Sequence, residues 1–489
     1  MDSSTMLLDQ LPEDLLAAVM SHLRLEDVLA LRLMCRRLAG LAQHPDVWRH
    51  RTLAVYGGPG SCPLLRLAPC AREVSTVVPM EPACRHGDLR TTSCAARALS
   101  ITMGDTLEEC GPEEVADTVQ IVKQQEALGR LRAVSLHFLG GFLAEETADS
   151  LLGALASTRG LEKVTLRVGS RCCWQVVPAT GQRGAWAPSL KSFTCDIQPW
   201  TVAFCNYMLA GHAATLEAVD FEDHDICPVD ATLSPLRLLA GMPNLRQLTC
   251  RMMNGLGEVA ACESLRALKL TVQPVSDDNS PGALELLRSA HQLRSLHLFF
   301  PYDDAEEDDD GVGGGGGEFG ADLIRALASS GRSQVEVLSI EVVGSAPQRP
   351  LLDQLRLALP SLPALRRLVV DLDPDALLRG ITPLTAPSLR SLQIRLYDST
   401  QNVCFHALLH SEKLASLMSR NPLLHVELQY LTCFQDLCDK CVLGCHRDLK
   451  SFKLVGVFAH SKDECPSPED HATNGRCRWV HINDVDVQH

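Results

Sequence analysis

The residues best suited to chemistry gather near the C-terminus: Cys433, Cys438, Cys441, Cys445 and His446, then His460, Cys465, His471, Cys477 and His481. Thiolates and imidazoles are the ligands of tetrahedral zinc, usually supplied as two close pairs. Cys438 and Cys441 form a C-x-x-C and Cys445–His446 follows closely, but no spacing defines the second pair. With 20 cysteines and 17 histidines in 489 residues, structural or incidental thiols are the simpler reading and a zinc site is the alternative. No metal ligand is assigned. Cys94, Cys110, Cys172 and Cys173 carry no pattern. Seven carboxylates (Asp303, Asp304, Glu306, Glu307, Asp308, Asp309, Asp310) precede the glycine run Gly313 to Gly317. They lack the ordered spacing of a calcium loop. Like charges that repel, beside residues with nothing to pack, predict a solvated, disordered insertion over 303–320. No G-x-S-x-G, P-loop, dinucleotide glycine fingerprint or H-E-x-x-H is present, and nothing selects a cysteine–histidine nucleophile pair. The chain reads as non-catalytic and without a cofactor.

Composition narrows the class. At 489 residues with 46% apolar and 21% charged residues, the chain is long for one compact domain and fits several domains or a repeat array. A formal charge of -15 opposes a nucleic-acid partner, which needs a basic footprint. No run of eighteen apolar residues is present, so no membrane span is expected. MDSSTMLLDQ lacks the basic and apolar regions of a signal peptide. Many cysteines without such a signal read as reduced thiols, many at core positions, in cytoplasm or nucleus.

Three segments must be positioned by the rest. The first is Leu11 to Trp48. Pro12 suits a first helical turn, and Glu13 and Asp14 complement the helix dipole there. Leu15, Leu16, Val19, Met20 and Leu23 share a helical face. A second apolar set follows in Val28, Leu29, Leu31, Leu33 and Met34, and a third short helix, Cys35 to Ala42, stops before Pro45. About forty residues cannot bury this much aliphatic surface among themselves, so part of it is expected to face a partner.

The second segment, 53–95, is rich in Gly, Pro and Cys and reads as linker and N-terminal cap, with PLLRLAPCAREVSTVV offering a first strand. The third repeats an L-x-x-L-x-L pattern. A degenerate copy at Ala96, Leu99, Ile101 precedes Leu131, Val134, Leu136; Leu161, Val164, Leu166; Leu190, Phe193, Cys195; and Leu216, Val219, Phe221. The pattern continues at Leu245, Leu248, Cys250; Leu265, Leu268, Leu270; Leu293, Leu296, Leu298; and Val335, Leu338, Ile340. It ends with Leu365, Leu368, Val370; Leu389, Leu392, Ile394; Leu423, Val426, Leu428; and Leu449, Phe452, Leu454. Steps of roughly 29 residues lie at the long end of leucine-rich repeats. Helices are predicted between strands, including Pro112 to Leu128, Ala144 to Thr158, Ala283 to His291, Ala321 to Ser330 and Leu351 to Leu359. Units that cannot cover their own apolar faces must stack into a curved α/β solenoid with parallel strands on its concave face.

The first stretch also resembles an F-box, through Leu11, Pro12, Asp14, Leu15, Leu16; Val19, Met20; Leu23; Asp27, Val28; Met34, Cys35, Arg36, Arg37; and Trp48. Leu25 stands where many members carry proline. The repeats resemble the long, degenerate kind found in F-box proteins with leucine-rich repeats. That resemblance implies a three-helix F-box at 7–52, a solenoid at 96–458 and a C-terminal cap or tail at 459–489. It also implies a substrate receptor of an SCF-type cullin–RING ubiquitin ligase, with no catalysis of its own. Adaptor contacts carried over are Leu11, Pro12, Leu15, Leu16, Val19, Met20, Leu23, Leu31 and Met34, facing a Skp-type adaptor. Candidate substrate contacts, from strand positions between the buried ones, are Lys163, Arg167, Asp220, Glu222, Arg251, Lys269, Arg367 and Arg395. Their mixed signs suit a protein ligand. The alternative is a scaffold or inhibitor that binds protein without ubiquitylation.

Overall fold

A computed structural model describes residues 11–56, 61–79, 88–104, 111–139, 145–168, 187–198, 201–221, 235–253, 255–272, 280–301, 315–342, 348–371, 375–396, 408–430, 454–465 and 477–482. They fall into two units, 1–238 and 239–489.

The first unit opens with four short helices: α1 (Glu13–His22), α2 (Leu25–Arg32), α3 (Arg36–Leu41) and α4 (Pro45–Trp48). Each start has a local cause. Pro12 stands at the N-cap of α1 with Glu13 and Asp14 in the first turn. The Cys35 sulfur accepts from Leu38 N before α3, and His44 Nδ1 accepts from Asp46 N before α4. Leu16, Ala17, Met20, Val28, Leu38, Leu41, Val47 and Trp48 are buried together. Trp48 Nε1 donates to the Ala42 carbonyl at 2.6 Å, so the indole is buried with its polar atom satisfied. The fourth helix is an addition to the three expected; Pro45 ends one helix by starting another.

Among the described residues seven strands follow: β1 (Thr52–Val55), β2 (Cys70–Val78), β3 (Ala95–Met103), β4 (Ala133–Phe138), β5 (Lys163–Val168), β6 (Ser192–Cys195) and β7 (Ala218–Phe221). They pair in sequence order and all in parallel. Two of them lie in the stretch read as linker and cap. PLLRL in the proposed first strand is instead the end of a helix, α5 (Ser61–Leu67), and the strand itself starts at Cys70. Crossovers run through α6 (Pro112–Ala127), α7 (Glu145–Ser157) and α8 (Val202–His212), as parallel pairing requires. Gly129 and Gly160, at φ 78° and 72°, take the left-handed positions that turn α6 and α7 back toward β4 and β5.

The second unit carries β8 (Gln247–Arg251), β9 (Ala267–Thr271), β10 (Ser295–Phe300), β11 (Val337–Val342), β12 (Arg367–Val370), β13 (Ser391–Leu396) and β14 (His425–Tyr430), again parallel and in order. A short 3-10 turn, Leu256–Ala261, connects β8 to β9. Later crossovers use α9 (Ser280–Ser289), α10 (Gly315–Ser329), α11 (Gln348–Ala358), α12 (Asp375–Gly380) and α13 (Glu412–Arg420). The run then changes: β15 (Leu454–Phe458) pairs antiparallel with β14, and β16 (Cys477–His481) pairs parallel with β15.

Registers explain the repeat. Leu53, Val74, Leu99, Val134, Val164, Phe193 and Val219 form one buried rung of the first unit. Leu248, Leu268, Leu296, Leu338, Leu368, Leu392 and Val426 form its counterpart in the second. Alternating residues face the other way, giving an apolar face and an open polar face. The fold is thus an α/β strand–helix array of the leucine-rich-repeat type behind an N-terminal helical unit. Buried cysteines fill core positions at Cys70, Cys94, Cys195, Cys205, Cys250 and Cys262; burial pushes the Cys94 thiol up to about 12.

Three expectations shift. The insertion at 303–320 gives way to α10 from Gly315, and 302–314 lies outside the described residues. In the repeat at β14, Leu423 is exposed and Leu424 is buried in its place. The final triplet does not continue the parallel array. Leu449 and Phe452 lie outside the described residues, and in the antiparallel β15 it is Val455 and Val457 that face the core. No helix among the described residues is long and apolar enough to cross a membrane.

Candidate protein-binding surfaces

The apolar set of α1 is split by its geometry. Leu16 and Met20 point into the helical unit at 1% exposure each, whereas Leu15 and Val19, one turn apart, stay 54% and 43% exposed. The five leucine, valine and methionine positions span an arc wider than the core can accept, so only its inner edge is buried. Leu16 and Met20, grouped with the adaptor contacts by sequence, therefore belong to the core and are not surface residues. Pro12 is exposed, and Leu11, Leu23 and Leu31 are half-buried. In the turn between α2 and α3, Leu33 and Met34 stand 79% and 75% exposed. Met34 was expected outward. Leu33, a member of the second apolar set, lies in a turn, where helical periodicity lapses and releases it to solvent.

The paired arginines after Met34 have distinct roles. Arg37 Nη2 donates to the Leu11 carbonyl at 2.7 Å, and its Nε lies 4.0 Å from Glu13. This ties the start of α1 to α3 and holds the Leu15–Val19 face in place. Arg36 is exposed.

On the open faces of the strands, most of the residues expected to meet a substrate are engaged with neighbouring side chains. Arg167 bridges two carboxylates, Nη1 to Asp196 at 2.7 Å and Nη2 to Asp220 at 2.8 Å. Asp196 is buried and also accepts from Val168 N at 2.7 Å. Burial, with Arg167 adding to it, holds the nearby His137 below the usual histidine range, so the ring is neutral at neutral pH. Lys163 is exposed on the edge of the same strand, and Glu222 lies outside the described residues.

In the second unit Arg395 donates from Nη1 to Glu341 at 3.2 Å and its Nε lies 3.8 Å from Asp371. His297 Nε2 meets the same Glu341 oxygen at 3.1 Å. Burial lowers His297 despite that carboxylate and pushes the Asp371 carboxyl up to about 7, with Glu341 raising it further against Arg395. Arg367 Nη2 reaches Gln393 at 2.9 Å and Glu427 at 3.1 Å. Lys269 Nζ lies 5.3 Å from the centre of the Phe299 ring, a cation–π distance. Arg251 is buried, so its side chain is not the outward contact that sequence alternation placed there. The result is a polar sheet surface whose cations are largely neutralised by carboxylates of neighbouring strands.

A third cluster joins His425, His460 and Cys465, whose ligand atoms all lie within 4.8 Å of one another. His460 and Cys465 were among the sequence candidates; His425, 35 residues upstream, was not. Cys433, Cys438, Cys441, Cys445, His446 and His471 lie outside the described residues. His481 Nε2 donates to the Ala459 carbonyl at 3.2 Å.

Comparison with known proteins bears on the first surface. Residues 8–54 match the family described as F-box-like. No curated protein matches the chain. Among solved structures, it is similar to the leucine-rich repeat-containing protein LegL7 from Legionella pneumophila, at 13% identity and a TM-score of 0.37, over 76% of this chain and 97% of that one. An internalin (inlF) from Listeria monocytogenes is similar at 11% identity and a TM-score of 0.25, over 55% of this chain and 76% of that one. The helical unit is F-box-like, and it precedes an array of leucine-rich-repeat type.

Proposed function

We propose that this chain is the substrate-recognition subunit of an SCF-type cullin–RING ubiquitin ligase. The observation that carries the reading is the outward apolar residues Leu15 and Val19 on α1 and Leu33 and Met34 in the turn after α2, all within the F-box-like stretch. Apolar side chains this exposed on a small helical unit call for a partner, and a Skp-type adaptor is the partner this family of helices implies. Pro12 and the half-buried Leu11, Leu23 and Leu31 would border the contact. The open strand faces would hold a substrate protein. Their internally paired charges suit complementary polar contacts with a protein more than a phosphate backbone. The chain contributes proximity and orientation, while ubiquitin transfer belongs to other subunits.

The test is co-expression of the full chain with a Skp-type adaptor. Wild type co-purifies with it, and the assembled ligase ubiquitylates proteins retained by the array. Failure of wild type to capture adaptor would overturn the proposal. Capture without any ubiquitin transfer would favour the scaffold reading instead.

A further inference from the structure

We propose that His425, His460 and Cys465 form a zinc site that staples the closing strands of the array to its last parallel strand. The three come from separate places. His425 is the first residue of β14, His460 follows the end of β15, and Cys465 follows the 3-10 turn Lys462–Glu464. The fold nevertheless brings their ligand atoms within 4.8 Å of one another. Cys465 Sγ and His425 Nε2 are 3.4 Å apart. Zinc bound at about 2.0–2.1 Å to nitrogen and 2.3 Å to sulfur with tetrahedral angles puts two such ligands roughly 3.5 Å apart.

The outer contacts also fit. His460 Nδ1 donates to the Pro422 carbonyl at 2.8 Å. That fixes the tautomer in which Nε2 keeps its lone pair for a metal, the arrangement found behind most ligating histidines. The rings are held by aromatic neighbours: His425 meets His460 edge-on at 4.9 Å between centres and Trp479 at 5.4 Å, and Phe458 lies 5.7 Å from His460. Both histidines are buried and Cys465 is half-exposed, which leaves an entry path on the sulfur side. Two imidazoles and a thiolate select zinc over calcium or magnesium, which take oxygen ligands. Three protein ligands leave the fourth position for water. Binding deprotonates the Cys465 thiol, releasing that proton to solvent.

The position gives the site a purpose. His425 immediately precedes Val426, which pairs with Val457 at the antiparallel junction, where the described parallel run of the second unit ends. A terminal element of a repeat array contacts a neighbour on one side only and needs a cap. The closing strands β15 and β16 form that cap, and a metal bridging residues 425, 460 and 465 fastens it to β14.

The same contacts in a metal-free protein would be a hydrogen-bonded histidine–cysteine cluster, and experiment separates the two. The full chain is dialysed and its zinc content measured beside Cys465→Ser and His425→Gln, with Cys35→Ser as a control at an exposed thiol. Wild type and C35S should agree, and C465S and H425Q should each hold about one equivalent less. Because those variants could misfold, alkylation of Cys465 is followed by peptide mass spectrometry in wild type alone. It should be slow with zinc bound and rise several-fold on chelation. Equal zinc in wild type and C465S, or the same Cys465 alkylation rate with and without chelator, overturns the proposal.

Discussion

Arg51 donates from Nη2 to the carbonyl of Met20 at 2.6 Å. The same nitrogen reaches the Leu23 carbonyl at 2.9 Å, and Nε takes that of Val47 at 2.7 Å. The last carbonyls of a helix have no partner within it, and here one guanidinium serves the ends of α1 and α4 together. Arg51 also begins the sheet, since its own carbonyl accepts from Arg72 N at 2.9 Å. One residue therefore fastens the F-box-like helices to the first strands.

Replacing Arg51 by alanine should destabilise the helical unit by about 1–3 kcal/mol, the cost of leaving carbonyls near buried backbone without a charged donor. Hydrogen exchange resolved by peptide should show faster opening of residues 13–48, with little change in β9 to β13. Unchanged exchange there would remove Arg51 from this role.

Leu15→Asp with Val19→Asp should abolish capture of a Skp-type adaptor while shifting stability by no more than about 0.5 kcal/mol, because both side chains are exposed. Met20→Ala should instead cost about 2–5 kcal/mol through a cavity in the helical core. Urea denaturation together with adaptor pull-down distinguishes the two effects. Full adaptor capture by the double aspartate variant would remove this face from the contact.

Arg167→Ala leaves the buried Asp196 without its cation and should cost about 3–5 kcal/mol. Adding Asp196→Asn should recover part of that loss, giving a coupling energy of about 1–3 kcal/mol in a double-mutant cycle. Additive losses would mean that the pair does not interact. This matters for substrate mapping, because R167A would weaken binding through the fold and not through a lost contact.

Asp371 gives the array a pH dependence. Its pKa rises from 3.8 unfolded to about 7 folded, first through burial, so the folded state holds the proton more tightly. Its contribution to stability is therefore fully present below about pH 4 and is lost as pH rises toward 7. Asp371→Asn should gain stability over wild type at about pH 8 and little at about pH 4. Denaturation midpoints at the two values check this, and a pH-independent difference would refute it.

How much of this was legible follows from what each residue meets. Leu268, Leu296, Leu338, Leu368 and Leu392 are large, apolar and two residues from another buried side chain, so their spacing alone located the strands. The F-box-like stretch was legible because Pro12, the acidic first turn and Trp48 each have a local cause. Which half of the α1 face turned inward was not, since Leu15 and Leu16 are the same residue type and only packing tells them apart. The ion pairs of Arg167 and Arg395 join strands whose registers a single sequence does not state. His425 was invisible for a related reason: its partners follow a strand that reverses direction, where repeat counting no longer predicts neighbours.

The shared register from β9 to β13 has a consequence for how such a chain changes over generations. Leu268 faces Leu296 on one rung, as Leu338 faces Leu368, so deleting or duplicating one strand–helix unit leaves leucine meeting leucine across the splice. Array length is thereby free to vary by whole units without redesign of the joints. The reversal at β15 fixes where that freedom stops: the strand beyond it, β16, pairs with β15 and not with the leucine rung.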